Sequence, residues 1–326
     1  MREEFDLIER YFRPLASNMS ASLNLEDDAG ILSAPEKRAY VLATDTLVAS
    51  VHYLPDDPPE QIAQKALRVN LSDLAAMGAT PFGYLLNLAV AETVTESWIA
   101  QFAEGLAADQ VEYGVGLIGG DTTRSSSGTV ITITAVGTVP HGQALRRRGA
   151  SAGDHVVVSG TVGDAALGLM AAQGHLNMDV GSDSTYLIER YRWPLPRITL
   201  GKALLGQGLA SAAIDISDGL VADLGHVCTA SKVGMAVELA AVPLSTEVQR
   251  YVERDMTILH KALTGGDDYE LAFTVPPAQI GEVAALARSL DLPLTRIGYV
   301  TEGCEPIVRD SENTPLSFTQ RGWSHF

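Results

Sequence analysis

Positions Ile62, Ala66, Val69, Asp73 and Ala76 step by four, three, four and three, the repeat of a single helical face. The spacing predicts a helix over 59–78. The row is apolar except at Asp73, a carboxylate where a core residue belongs. An ionised Asp is almost never buried unpaired, so this one either reaches water or faces a cation.

The same reading, carried along the chain, predicts strands at 39–45 and 82–90 and a helix at 95–112. "VGLIGG" reads as a short strand ending in a turn. Residues 129–139, "TVITITAVGTV", alternate Thr with apolar side chains, as expected of a long strand with one open face. "PHGQALRRRGASAGD" (140–154), rich in Gly, Pro and Arg, is the natural boundary. Beyond it come the strand "HVVVSG", helices at 163–173, 184–191 and 197–208, the strand "AAID" (212–215) and a helix at 217–230. Then follow the strand "GMAVELA", helices near 245–262, the strand "YELAFTV", a helix at 277–290 and the strand "LTRIGYV". These elements predict two α/β domains of the α+β type, residues 1–140 and 150–326, with mixed, largely antiparallel sheets.

Composition narrows the class. The chain has 326 residues, 46% hydrophobic and 19% charged, enough to bury a core and too apolar for general disorder. A net charge of -17 disfavours nucleic acid and anionic membranes as partners. Cys228 and Cys304 stand far apart with no CxxC, which excludes a disulfide scaffold and a zinc ribbon. No apolar signal region opens the sequence and no run of 18 apolar residues occurs, so a cytoplasmic location is expected. "GVGLIG" (114–119) matches GxGxxG, but it follows a helix and leads into a strand, the reverse of the context a dinucleotide site needs.

What remains is a set of aspartates at strand ends and turns: Asp27, Asp28, Asp45, Asp121, Asp215, Asp218, Asp267 and Asp268. Each has an ordinary explanation. Ser217 can cap the helix at 217, with Asp218 favourable in its first turn. Asp27 and Asp28 can lie in a solvated turn, and "GGDD" can follow a helix that ends with Gly265 at the left-handed position. Together they repel one another, and such groupings also characterise Mg²⁺ sites, where hard cations take carboxylates along with substrate phosphates.

The segments "TDTLVASVHY", "ALRVNLSDLAAMGATP", "LIGGDTTR", "GDHVVVSGTVGDAALGL", "AAIDISDGLVADLGH" and "GGDDYELAFTV" occur in this order. In them the chain resembles the thiamine-monophosphate kinase family, a branch of the aminoimidazole ribonucleotide synthetase superfamily. The resemblance implies a two-domain superfamily fold, with an N-terminal domain for metal, ATP and dimer contacts and a C-terminal domain completing the active-site cleft. It implies transfer of the ATP γ-phosphoryl group to thiamine monophosphate, assisted by several Mg²⁺ ions, in a homodimer. Family metal positions fall on Asp28, Thr44, Asp45, Asp73, Asp121, Asp215 and Asp218. Of these, Asp45, Asp73, Asp121 and Asp218 are the implied catalytic set. Family ATP contacts fall on Gly120, Asp121, Arg147 and Ser217, and substrate contacts on His52, Asp267 and Trp323. Two positions depart from the family pattern. Glu26 stands where a Gly is usual, and Asp267 where a Glu is usual. The rival readings are another ATP-using superfamily member and a catalytically silent nucleotide- or metal-binding protein. No cysteine precedes Cys228 and the chain ends in Phe326, which argues against the selenophosphate synthetase and hydrogenase-maturation branches.

Overall fold

A computed structural model describes residues 4–25, 32–33, 36–176 and 184–324. They form two compact units. One comprises Met1–Leu74 with Ala79–Gln143, the other Ala75–Gly78 with Ala144–Phe326.

The first unit is built on a four-stranded sheet in the order β1-β4-β2-β3. The strands are β1 (Arg38–Val48), β2 (Thr80–Ala91), β3 (Leu117–Ser125) and β4 (Val130–Pro140). All pairs are antiparallel except β2 with β3. The Thr alternation of β4 works as its pattern predicts: Ile131, Ile133 and Ala135 are buried, whereas Thr132 and Thr134 are half-buried. Across the β1–β4 register, Thr44 meets Thr134 and Thr46 meets Thr132, hydroxyl to hydroxyl at 3.0 and 2.8 Å. That ladder is the open face of the sheet.

Helix α1 (Pro59–Ala76) is more enclosed than a one-sided stripe suggests. Every residue from Ile62 to Ser72 is buried, including Lys65, Arg68 and Asn70. Asp73, half-buried, is the first break in that run. A buried guanidinium makes this arrangement possible. Arg68 donates through Nε and Nη2 to the two oxygens of Asp109, at 2.8 and 2.7 Å, on helix α2 (Glu96–Tyr113). A buried charge is tolerated when it is paired and hydrogen-bonded in this way, and the fork fixes α1 against α2.

Two strand ends differ from the sequence reading. β1 runs on past Asp45 to Val48, and β3 runs through Gly120 and Asp121 to Ser125 instead of turning at the glycine pair. The pair reads as a turn, yet Gly120 is extended at φ +153° and paired with Leu86. A Cβ there would sit 1.8 Å from the Leu86 carbonyl oxygen, so this strand position requires glycine.

The second unit carries a six-stranded sheet in the order β10-β7-β9-β5-β8-β6. Its strands are β5 (His155–Ser159), β6 (Ala212–Asp215), β7 (Gly234–Glu238), β8 (Leu271–Val275), β9 (Leu294–Thr301) and β10 (Pro306–Arg309). Only β10 with β7 is parallel. Both faces are covered, which explains the continuous apolar runs of β5, β6 and β8. Val156, Val158, Ile214 and Ala272 enter one core with Leu220 and Leu224 of α6 (Leu220–Ser231) and Leu259 of α8 (Thr257–Thr264). Val157, Ala213 and Phe273 enter the other with Leu200 of α5 (Ile198–Gln207) and Leu286 of α9 (Ile280–Leu290). Helices α3 (Asp164–Ala172), α4 (Thr185–Arg192) and α7 (Thr246–Val252) complete the unit. Among the described residues, no helix is long and apolar enough to cross a membrane.

Candidate active site

In the first unit, Asp45 projects to the face opposite the threonine ladder, because successive strand residues alternate sides. Thr44 lies on the ladder side. Its hydroxyl donates to the Ile133 carbonyl oxygen and pairs with Thr134, so Thr44 and Asp45 do not present side chains together. Asp45 is tied to α1 by a residue the sequence reading passed over. The Asp45 N–H donates to Oδ1 of Asn70 at 3.0 Å, while Asn70 Nδ2 donates to the Ala66 carbonyl. Asn70 is fully buried and lies three residues before Asp73, so one turn of α1 carries Asp73 and the clamp on Asp45. Asn70→Ala is expected to lower stability by about 1–3 kcal/mol, since the Asp45 N–H then loses its acceptor. Urea denaturation measures this, and an unchanged midpoint would show that the clamp contributes nothing.

Asp121 is exposed on β3. By register it aligns with Asn87, Thr132 and Thr46, whereas Asp45 aligns with Ile133, Leu86 and Gly120. Three strand spacings separate β1 from β3, about 14 Å along the sheet. The two carboxylates therefore lie at opposite sheet edges and are not neighbours. His52 sits on the tight turn after β1, where its Nδ1 accepts the Val48 N–H at 3.0 Å. That bond selects the tautomer with its proton on Nε2. Asp28 and Glu26 lie outside the described residues.

The second unit brings its candidates much closer together. Strand β6 ends at the buried Asp215, and the loop 216–219 leads into α6. Ser217 is not the cap. The helix begins at Leu220, and the cap position is Gly219, whose φ of +120° favours glycine. The loop is held instead by Asp223, one turn into α6. A single oxygen, Oδ2, accepts the N–H groups of Ser217, Asp218 and Gly219 at 3.0, 3.0 and 3.1 Å. Burial, with Asp215 and Asp218 beside it, pushes the Asp223 carboxyl up to about 8, and the backbone donors pull the other way. Ligand atoms of Asp218, Asp223 and His226 lie within 4.8 Å of one another. Among the described residues this is the one such cluster of acidic, His or Cys side chains, and Asp45, Asp73 and Asp121 form none at that spacing. The carboxylate oxygens of Asp218 and Asp223, brought together here, are donors that fit a hard divalent cation.

Segment 265–269 runs beside this loop. The left-handed glycine is Gly266 at φ +75°, and Gly265 keeps helical angles. A Cβ at Gly266 would come within 2.3 Å of the Ser217 carbonyl oxygen. The Asp267 N–H donates to that oxygen at 2.8 Å, and the Trp323 N–H donates to the Asp218 carbonyl at 2.9 Å. Arg147 is exposed, and its segment borders the same strand: the Ala213 N–H donates to the Arg146 carbonyl, and Ser231 Oγ to that of Arg147. Ser217, Asp218, Asp267 and Trp323, far apart in sequence, are thus joined by main-chain hydrogen bonds.

The chain is similar to known proteins over nearly its whole length. The family described as AIR synthase related protein matches twice, its N-terminal domain over residues 26–139 and its C-terminal domain over 151–311. The thiamine-monophosphate kinase of Escherichia coli (strain K12) is 44% identical over 326 residues, covering 99% of this chain and 98% of the relative. The crystal structure of thiamine-monophosphate kinase from Stenotrophomonas maltophilia K279a superposes with a TM-score of 0.84 at 42% identity, covering 94% of this chain and 96% of that one. A structure of AaThiL complexed with AMPPCP and TMP superposes with a TM-score of 0.76 at 31% identity, covering 100% and 99%.

Proposed function

The chain belongs to the thiamine-monophosphate kinase family, and from that premise we propose that it transfers the γ-phosphoryl group of ATP directly, in line, to the phosphate of thiamine monophosphate, giving thiamine diphosphate and ADP. The observation that carries the reading is the pair of main-chain bonds joining Asp267 and Trp323 to Ser217 and Asp218. Residues expected at the substrate are thereby anchored on a loop expected at the nucleotide and metal. A solved relative complexed with AMPPCP and TMP supports the same pairing of ligands.

The chemistry asks little of an acid or base. The attacking phosphate oxygen is already ionised at neutral pH. The protein has to hold two anions together and aligned, a matter of positioning and charge. Asp215, Asp218 and Asp223 would hold Mg²⁺ on the second unit; the family's metal positions on the first are Asp45, Asp73 and Asp121, of which Asp45 and Asp121, at opposite sheet edges, would not share an ion. When bound, the ions offset phosphate charge and stabilise the charge that builds during transfer. The Thr44 hydroxyl stays with its ladder and is left out of this set. Ser217, Gly120 and Arg147 serve ATP, Arg147 with a planar fork suited to phosphate. Trp323, half-exposed, offers a ring face to the cationic heterocycle, worth about 1–2 kcal/mol when desolvated. Asp267 and His52 complete the substrate contacts. Asp267 fits its place better than the family's usual Glu would, because its φ is +65° and Asp tolerates left-handed backbone. A cytoplasmic homodimer is part of the reading. The exposed Leu42, Phe82 and Leu85 on β1 and β2 support a subunit contact through that sheet.

Purified protein incubated with ATP, Mg²⁺ and thiamine monophosphate is expected to form thiamine diphosphate and ADP in equal amounts, measured by chromatography. ADP formation without thiamine diphosphate would indicate another acceptor, and no turnover would indicate a silent binding protein.

A further inference from the structure

We propose that Asp268 is a positioning residue for substrate recognition, holding Asp267 in its left-handed conformation by docking on the N-terminus of α3. The inference rests on the reading that Asp267 touches thiamine monophosphate.

Residues 267–270 alternate strictly. Asp267 and Tyr269 are half-buried, whereas Asp268 and Glu270 are 1% and 0% exposed. The outward pair carries the unusual backbone, with φ of +65° at Asp267 and +51° at Tyr269. Left-handed residues other than glycine cost of order 1–3 kcal/mol each, and they persist only where their surroundings over-determine them. The inward pair supplies that restraint. Asp268 Oδ2 accepts the Gly163 N–H at 2.8 Å, and Oδ1 accepts the Ala165 N–H at 3.3 Å, at the first turn of α3. Those N–H groups have no partner within their own helix, and a carboxylate suits the positive end of its dipole. Gly163 fits only because it is glycine: at φ +89°, a Cβ would meet that of Ala262 at 2.4 Å. Glu270 accepts from Ser159 Oγ at 2.6 Å, Arg190 Nη2 at 3.0 Å and Arg197 Nε at 2.6 Å. The same Arg190 nitrogen reaches the Asp268 carbonyl at 3.4 Å.

Four successive residues therefore divide their work. Glu270 secures the start of β8, and Asp268 sets how far the preceding turn stands from α3. The Asp267 N–H is held by the Ser217 carbonyl at 2.8 Å and its Oδ1 accepts from the Tyr269 hydroxyl at 3.2 Å, and the anchor of the adjacent Asp268 adds the restraint toward α3. Shifting a substrate contact by an ångström can cost up to a hundredfold.

The test measures KM for thiamine monophosphate and for ATP in the full-length wild type, Asp268→Asn, Asp267→Ala and the double variant. Asn keeps the side-chain volume but turns an N–H toward one of the two donors. Asp268→Asn is expected to raise KM for thiamine monophosphate by on the order of tenfold, leaving KM for ATP within about twofold. In the Asp267→Ala background the same change should add less than about twofold, because both act through one contact. A purely structural role would lower the melting temperature and leave both KM values unchanged, or raise them alike, and either result overturns the proposal. Fully additive effects overturn it too. If Asp267→Ala leaves KM for thiamine monophosphate unchanged, the substrate role of Asp267 itself is wrong, whatever Asp268→Asn does. Should Asp268→Asn not fold, Asp268→Glu carries the same measurements. It keeps both acceptors and displaces the turn by one methylene, so a positioning role again predicts a rise for thiamine monophosphate alone.

Discussion

Asp73→Asn is expected to reduce kcat/KM by roughly a thousandfold while leaving the fold intact. Asn matches Asp in size and is close to it in helix propensity, so α1 should form as before. What changes is charge. Asp73 is half-buried at the end of a run in which every residue from Ile62 to Ser72 is buried. Its helix is fixed by the buried Arg68–Asp109 fork and, through Asn70, to the main chain of Asp45. The backbone that carries this carboxylate is thus held in place by contacts the substitution leaves untouched. The loss should therefore appear in catalysis, with circular dichroism and the melting temperature close to wild type. Turnover measured across Mg²⁺ concentrations separates the possibilities. A deficit that higher Mg²⁺ partly restores supports a ligand role, and wild-type turnover in the variant removes Asp73 from the metal set.

The sequence makes visible whatever depends on near neighbours. β4 is legible because Thr alternates with apolar residues within a β-rich run of eleven residues, and α1 because its row recurs at helical spacing over four steps. β6 with Asp215 at its end is legible because an apolar run stops at a carboxylate. Features set by distant partners are not. β3 continues through Gly119 and Gly120 by pairing with β2, and Gly120 is glycine because Leu86, on that strand, comes too close for a side chain. β10 has four residues and is held by parallel pairing to β7, some seventy positions earlier, which no local pattern announces. Asn70 shows only as a polar residue in a helix until its acceptor role for Asp45, twenty-five residues away, is seen. The spacing of Asn70 and Asp73 at i and i+3 was the available hint. The aspartates of the candidate site are legible as a set, but their grouping is not. The second unit's members meet through backbone contacts, whereas in the first unit Asp45 and Asp121 stand at opposite sheet edges.

Asp223 is the most consequential residue that sequence reading passed over, because in a helix read from 217 it lies beyond the first turn, and only the observed start at Leu220 puts it where it can hold the preceding loop. Asp223→Ala is expected to reduce turnover by roughly a hundredfold and stability by about 2–4 kcal/mol, since the N–H groups of Ser217, Asp218 and Gly219 lose their shared acceptor. Asp223→Asn isolates the charge. Its amide oxygen can still accept, but it does not titrate. The folded protein raises the Asp223 carboxyl from its ordinary 3.8 to about 8 through burial and the charges of Asp215 and Asp218. A carboxyl raised in this way binds its proton more tightly when folded. Its contribution to stability is fully present below 3.8 and is lost as pH rises toward 8, at up to about 1 kcal/mol per pH unit. In chelator, wild type should therefore lose stability relative to Asp223→Asn between about pH 4 and pH 8. Saturating Mg²⁺ should flatten that slope, because a cation among these carboxylates favours their ionised forms. Melting curves of both proteins across that range, with chelator and with Mg²⁺, decide the matter. A slope unaffected by Mg²⁺ would place the cation away from Asp223 and leave the residue as a clamp on the loop alone.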